Sequence, residues 1–282
     1  MRLPLLLLAA IALLSFAAPP LGARLGLDPS MVDLAHRLAL PSFAHPLGTD
    51  ELGRDVLLRL AEGGRVSLTI GIAAALTAAA LGTLIGLVAG YLGGWTDRLA
   101  MRFVDAVIAL PLLPLLIVLA ALDLKKLGVP AGLARSDEAS LLRIVALAVL
   151  VGWTTAARLV RGAALVTRGR DFVRAAQSLG AGTPHILWMH ILPNVLAPLT
   201  VATTLSVGDV VLLESVLSFL GLGIQPPLAS WGTMLSNAQE LIATAPLLAV
   251  YPGAMIFLTV IACNLLGDAL LQRLDRRAVV PA

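Results

Sequence analysis

A chain of 282 residues with 59% hydrophobic and 13% charged side chains carries about half the charge of a water-soluble domain, for which ~25% is usual. Its mean hydropathy of +0.93 excludes a soluble globular fold, because that much apolar surface must be covered by lipid. The formal charge of +3 gives no footprint for nucleic acid, and the single cysteine, Cys263, excludes an intramolecular disulfide and a cysteine-built metal cluster.

Leu3 to Leu21 is an apolar stretch behind Arg2, long enough for a first span; Arg2, the leucine run and small residues near Ala17-Ala18 also fit a cleaved leader. Residues 22 to 65 hold prolines, five arginines and no lipid-compatible run. Within them, Asp50 to Arg65 alternates charge with Leu52, Val56, Leu57 and Leu60 at helical spacing. That pattern predicts an amphipathic interfacial helix, or a solvated loop helix. Thirty-one uncharged residues then separate Arg65 from Asp97, enough for a tilted span at ~20 residues per crossing. Gly71, Ala74, Ala78, Gly82, Gly86 and Gly90 recur every three or four positions there, a small face that lets helices approach closely in lipid. Gly93-Gly94-Trp95 predicts a turn at the interface. Phe103 to Leu122 is the next span, kinked by Pro111 and Pro114, with Asp105 near its end. A polar loop over 123–140, with Lys125 and Lys126, precedes a span from Leu141 to Ala157 in which Arg143 can snorkel.

A polar island follows, Arg170 to Pro193. Phe172, Ala175, Ala176 and Leu179 fall at i, i+3, i+4, i+7, on one helical face. Asp171 is placed to cap the free N–H groups at the start, and Gly180 and Gly182 to stop the helix. Thr183-Pro184 reads as N-cap plus N1 of a second short helix, which runs to about Leu192 before Pro193 breaks it. Two short helices joined at a glycine elbow, too polar for lipid, would lie on the membrane surface and suit a groove on another protein.

Leu196 to Phe219 and Leu241 to Gly267 complete about six spans, and the tail Arg273 to Arg277 is basic. The fold class is therefore an all-α membrane protein. Two acids, Asp209 and Glu214, lie in the span after the island. An ionised side chain at mid-bilayer costs ~2.5–3.5 kcal/mol on insertion scales, which makes both candidates for a transport pathway. Five residues put them ~140° apart around a helix, so both cannot face one pore squarely. An interhelical hydrogen bond or a snorkelling end is the structural alternative. Leu217 to Trp231, with two glycines, two prolines and no charge, reads as a re-entrant or tightly turning outer loop anchored at the headgroups by Trp231, or as a packed loop.

With the N-terminus inside and Arg143 left aside, Lys and Arg number eleven on the cytoplasmic side against eight opposite, which puts both termini and the island in the cytoplasm. No G-x-x-x-x-G-K-[ST], G-x-S-x-G or H-E-x-x-H occurs, so the chain offers neither an ATPase loop nor the common hydrolase sites. The four histidines (His36, His45, His185, His190) lack ligand spacing; His185 and His190, at i and i+5, aim poorly at one metal. No catalytic residue and no metal site are expected.

Arg174-Ala175-Ala176, then Gly180, then His190-Ile191-Leu192-Pro193 resembles the "EAA" loop of ABC-importer permeases. The first position, usually Glu, is Arg174 here, and the Ile of I-x-L-P is His190. His45 to Asp55 (H-P-L-G-T-D-E-L-G-R-D), Gly90 to Trp95, His190 to Asn194, Leu217 to Pro227 (L-S-F-L-G-L-G-I-Q-P-P) and Leu266-Gly267-Asp268 all resemble the dipeptide/oligopeptide/nickel branch, in particular its C-type permease subunit. The resemblance runs over roughly residues 43 to 277.

It implies a type I ABC-importer permease fold in a bacterial inner membrane, with a first transmembrane helix at 1–22, retained in that family. An extracytoplasmic segment at 23–65, a five-helix core at 66–270 containing the coupling loop 170–193, and a cytoplasmic tail at 271–282 follow. Arg174, Ala175, Ala176, Leu179, Gly180, His190, Ile191, Leu192 and Pro193 would contact the ATPase. The implied partners are a second permease subunit, two ATP-binding subunits that carry the ATP and Mg, and an extracytoplasmic solute-binding protein, with no cofactor on this chain. Di- or oligopeptides are the expected cargo, with nickel or another small solute as the alternative. An ion-coupled secondary transporter is expected to bury a charged ion site, often with an inverted repeat, and no convincing repeat is found; a membrane enzyme would need a convergent nucleophile and base.

Overall fold

The computed structural model describes residues 2–24, 27–122, 130, 132 and 136–279, and among these the regular elements are helical. Helix α1 spans Arg2–Arg24, α2 Val56–Leu92, α3 Gly94–Ala109, α4 Leu112–Ala121, α5 Asp137–Arg168 and α6 Asp171–Ser178. Helix α7 runs Thr183–Phe219, α8 Trp231–Ala238 and α9 Leu247–Val279. Five helices are long and apolar enough to cross a membrane, and six spans result if α3 and α4 count as one. Lys125 and Lys126 lie outside the described residues.

The stretch Asp50 to Arg65 does not form a helix of its own. Asp55 accepts from Leu58 N at 2.9 Å and so caps α2, whose first turns are residues 56 to 65. The charges that break the apolar pattern are tied down locally. Asp50 accepts from the backbone N–H groups of Leu52 and Arg54 and from Arg54 Nε at 2.7 Å, and it lies 3.5 Å from the buried Arg59 guanidinium. His45 Nδ1 meets Asp55 at 2.9 Å. Gly53 adopts φ 75°, and a Cβ there would fall 1.7 Å from Asp33 O, so only glycine closes this turn. The H-P-L-G-T-D-E-L-G-R-D motif is thus a structural knot at the entry to α2.

Helices α2 and α5 run side by side in the same direction. The small face of α2 is buried: Gly82 packs on Trp153 and Ala156, Gly86 on Ala157 and Val160, Gly90 on Arg161 and Ala164. Gly93 and Gly94, with φ 66° and 60°, turn the chain into α3. The apolar stretch 103–122 is divided between two helices with a sharp bend at Leu110-Pro111. Helix α3 begins nine residues earlier, at Gly94, and α4 leaves it at 82°. Leu110 is extended because it precedes Pro111, whereas Pro114 lies in the first turn of α4, where its missing N–H costs nothing. Asp105 is mid-helix and pairs with Arg158 of α5, while Asp97 takes Arg161, with Nη2 to Oδ2 at 2.6 Å. Those arginines belong to α5 because it runs to Arg168, well past the expected end at Ala157. Its start is also earlier, at Asp137, capped by Ser136 Oγ accepting from Ala139 N at 3.2 Å.

Trp231 does not anchor at headgroups. It is fully buried, and its Nε1 donates to Leu60 O at 3.0 Å. Segment 220–230 therefore folds inward as a packed loop leading to α8, which Ser230 and Thr233 cap reciprocally. The last span starts at Leu247 rather than Leu241.

Candidate functional site

At the end of the bundle where α2 stops, the chain forms the elbow. Helix α6 is eight residues long and closes in a Schellman arrangement: Gly180 N donates to Gln177 O at 2.9 Å and Ala181 N to Ala176 O at 3.0 Å. Gly180 holds φ 84°, the left-handed conformation this stop requires. Asp171 does not cap α6. It is the first helical residue, Arg170 takes the cap position without a side-chain bond, and the acid faces the positive end of the helix dipole. Thr183 is likewise the first residue of α7, after Gly182.

Pro193 does not end the second arm. From Ile186 to Ile191 the helix widens to a π turn, with Leu192 N reaching Leu187 O five residues back, and the wider turn accepts a proline ring that would clash in an α-helix. Asn194 Nδ2 donates to His190 O at 2.7 Å. Helix α7 continues unbroken to Phe219, 37 residues in all, or about 55 Å at 1.5 Å per residue. The π turn also brings His185 and His190 onto one side, with ring centroids 5.6 Å apart, against the expectation from i, i+5; Phe172 lies 6.3 Å from His190.

Val173, Ile186, Ile191 and Val195 are buried against Leu87, Val160 and Ala164, which fixes the elbow to the ends of α2 and α5. Arg168 Nη1 donates to Tyr91 O at 2.8 Å, and Gln177 Nε2 to Tyr91 Oη at 3.2 Å. The remaining surface is open. Arg174, Ala175, Gly180 and Pro193 are exposed; Ala176, His190 and Leu192 are half-buried; Ile191 is buried. Leu179 is 88% and Met189 66% exposed, and Phe172 and Trp188 are exposed as well. The predicted apolar face of α6 therefore points away from the bundle, and Val173, off that face, makes the internal contact. The elbow thus presents exposed apolar side chains together with the exposed Arg170 and Arg174.

The two acids of α7 have different surroundings. Asp209 is exposed on the helix and has no hydrogen-bond or ion-pair partner among the described residues. Glu214 has no exposed surface and accepts from Ser67 Oγ at 2.8 Å and Ser218 Oγ at 2.6 Å, the interhelical alternative. A groove of about 510 Å³ opens between α1, α2, α7 and α9 and carries Thr200, Thr203 and Thr204. Each hydroxyl donates to a carbonyl one turn back at 2.8 Å, so the row is polar yet internally satisfied. The T-x-x-T-T spacing was visible in the sequence; Ser67 as the partner of Glu214 was not.

The profile of the family described as binding-protein-dependent transport system inner membrane component matches residues 82–280. The chain is 38% identical over 252 residues to a putative peptide permease of Brucella suis, covering 89% of this chain and 79% of that protein. It is 38% identical over 251 residues to a probable D,D-dipeptide transport system permease of Escherichia coli, covering 89% and 80%. It is 35% identical over 271 residues to the oligopeptide transport system permease of Bacillus subtilis, covering 96% and 83%.

Proposed function

Because this chain belongs to the binding-protein-dependent transport system inner membrane component family, whose members are multi-pass importer permease subunits, we propose that it forms half of a peptide pathway driven through the elbow. Separate cytoplasmic ATPases, carrying the ATP and Mg, grip the open face of α6 and the first turns of α7. A second, related permease subunit completes the pathway, and an extracytoplasmic solute-binding protein delivers the peptide. The peptide and dipeptide permeases among its relatives support the cargo. The observation that carries the reading is the continuity of the second elbow arm with the spanning helix α7. When ATP binding closes the ATPase pair, a displacement at Thr183 enters the same continuous helix that spans the membrane, by way of its π turn, and the spans rock from inward-open to outward-open. The excess of Lys and Arg at the elbow end supports a cytoplasmic placement of that end and of both termini.

The test is purification of the tagged chain from its native membrane, followed by reconstitution with the cognate solute-binding protein. Two nucleotide-hydrolysing subunits are expected to accompany it, and labelled dipeptide is expected to accumulate only with ATP inside the elbow side. Uptake driven by an ion gradient without ATP would overturn the reading. Binding of nickel but no peptide by the solute-binding protein would overturn the cargo alone.

Asp209 is the pathway candidate that its exposure leaves open. Asp209→Ala is expected to lower peptide uptake about tenfold, as loss of one charged contact allows, with ATPase docking unchanged. Normal uptake by this variant would remove Asp209 from the pathway.

A further inference from the structure

We propose that Glu214 is a positioning residue for transport, whose carboxylate clasps the crossing segment 220–231 over the start of α2 and sets the closure of the bundle end opposite the elbow. The elbow packs on Leu87 and Tyr91, near the end of α2, whereas Glu214 meets Ser67, near its beginning. The two hydroxyls that donate to this carboxylate each hold a different end of the segment. Ser218 Oγ accepts from Ile224 N at 3.1 Å, and Ser67 Oγ accepts from Trp231 N at 3.3 Å. One side chain therefore organises both edges of the crossing, while its tip, Gln225 to Pro227, stays exposed.

The hydrogen-bond directions define the chemistry. Each serine uses one lone pair on a backbone N–H and directs its proton to Glu214, Ser67 to Oε2 and Ser218 to Oε1. An amide cannot do this: a glutamine would present NH₂ to one hydroxyl, whose own proton would lose its acceptor. No cation faces the carboxylate among the described residues, and apolar side chains would tie these helices together at lower cost. A buried acid held by hydroxyls is thus better suited to a joint that opens than to a fixed weld. The surroundings are shaped to close over it: a Cβ on Gly63 would lie 3.1 Å from Ser230 C, and one on Gly232 2.7 Å from Ser215.

The experiment uses the assembled transporter in proteoliposomes, in a Cys263→Ala background with Ala229→Cys as reporter; Ala229 is fully buried in the crossing segment. A membrane-impermeant maleimide measures opening, and ATP hydrolysed per peptide imported measures closure during turnover. Glu214→Gln and Ser67→Ala are each expected to raise the labelling rate about tenfold, the effect of one lost charge-assisted hydrogen bond, and to raise the hydrolysis-to-uptake ratio. Ser67→Thr, which keeps the hydroxyl, is expected to return both toward wild type. Wild-type labelling and coupling in Glu214→Gln would overturn the proposal. So would failure of both Glu214→Gln and Ser67→Ala to assemble, which would assign the carboxylate to folding alone. The labelling readout does not depend on which subunit drives the elbow, so its failure is distinguishable from failure of the ATPase reading.

Discussion

Replacing Gly82 and Gly86 together by leucine is expected to abolish accumulation of the folded subunit. A Cβ on Gly82 would meet Trp153 O at 2.5 Å, Ala156 Cβ at 2.6 Å and Ala157 N at 2.8 Å; one on Gly86 would meet Ala157 O at 2.6 Å and Val160 Cβ at 2.8 Å. Several of these atoms are backbone of α5 and cannot rotate away, so the two helices must separate along their length. Overpacking by even a methyl group in such a contact costs about 1–3 kcal/mol, and two leucines exceed that several times. The loss cannot be recovered elsewhere in a bilayer, because lipid tails are as apolar as the helices and association rests on close van der Waals contact. Gly162 on α5 is the control. Its added Cβ would meet nothing within 4 Å, so Gly162→Ala should be neutral or stabilise by about 0.5–1 kcal/mol through helix propensity. Fluorescence-detected size exclusion and thermal unfolding in detergent read both variants. A monodisperse double mutant melting like wild type would show that α2 and α5 do not pack through this seam.

The same seam shows what was legible before any coordinates. The uncharged run from 66 to 96 and its repeat of small residues are local signals, because both lipid solvation and close approach act on residues one turn apart. The misread elements share a different feature. Arg59 and Glu62 made residues 50–65 look like a surface helix, yet Arg59 is buried beside Asp50, in a turn outside the helix. Trp231 fits the usual headgroup anchor by type, but its partner is Leu60 O, 171 residues away. Glu214 was ambiguous until Ser67, 147 residues distant, supplied the donor. Pro193 obeyed its local rule in principle; the π turn at 186–191 is a backbone adjustment that residue spacing does not encode. At the elbow, the i, i+3, i+4, i+7 face of α6 was readable, but its direction was not. Whether an apolar stripe points into the bundle or away from it depends on which neighbour, Val173 or Leu179, reaches Val160 and Ala164.

Substitutions at Gly180 are expected to uncouple ATP hydrolysis from uptake in a graded order set by the left-handed region, with the bundle itself intact. Gly180 has φ 84°, yet an added Cβ would find no atom within 4 Å. Collision with other residues therefore contributes nothing, and the whole effect lies in the residue's own backbone conformation. Leaving that conformation breaks the bonds from Gly180 N to Gln177 O and from Ala181 N to Ala176 O, and it rotates Phe172, Ala175 and Leu179 relative to α7. Asparagine visits the left-handed region readily and should behave nearly as wild type. Alanine pays about 1–2 kcal/mol there, which corresponds to about a tenfold loss of the docked geometry. Aspartate tolerates the conformation better than alanine, but it sets a negative charge on a surface carrying Arg170 and Arg174, so Gly180→Asp should uncouple through docking as well as shape. Valine, β-branched, cannot hold φ near 84° without a severe clash and should uncouple most. The measurement is ATP hydrolysed per peptide imported in proteoliposomes, alongside co-purification of the ATPase subunits. Full uptake with normal ATPase retention in Gly180→Val would mean that the orientation of α6 is not what the motor grips.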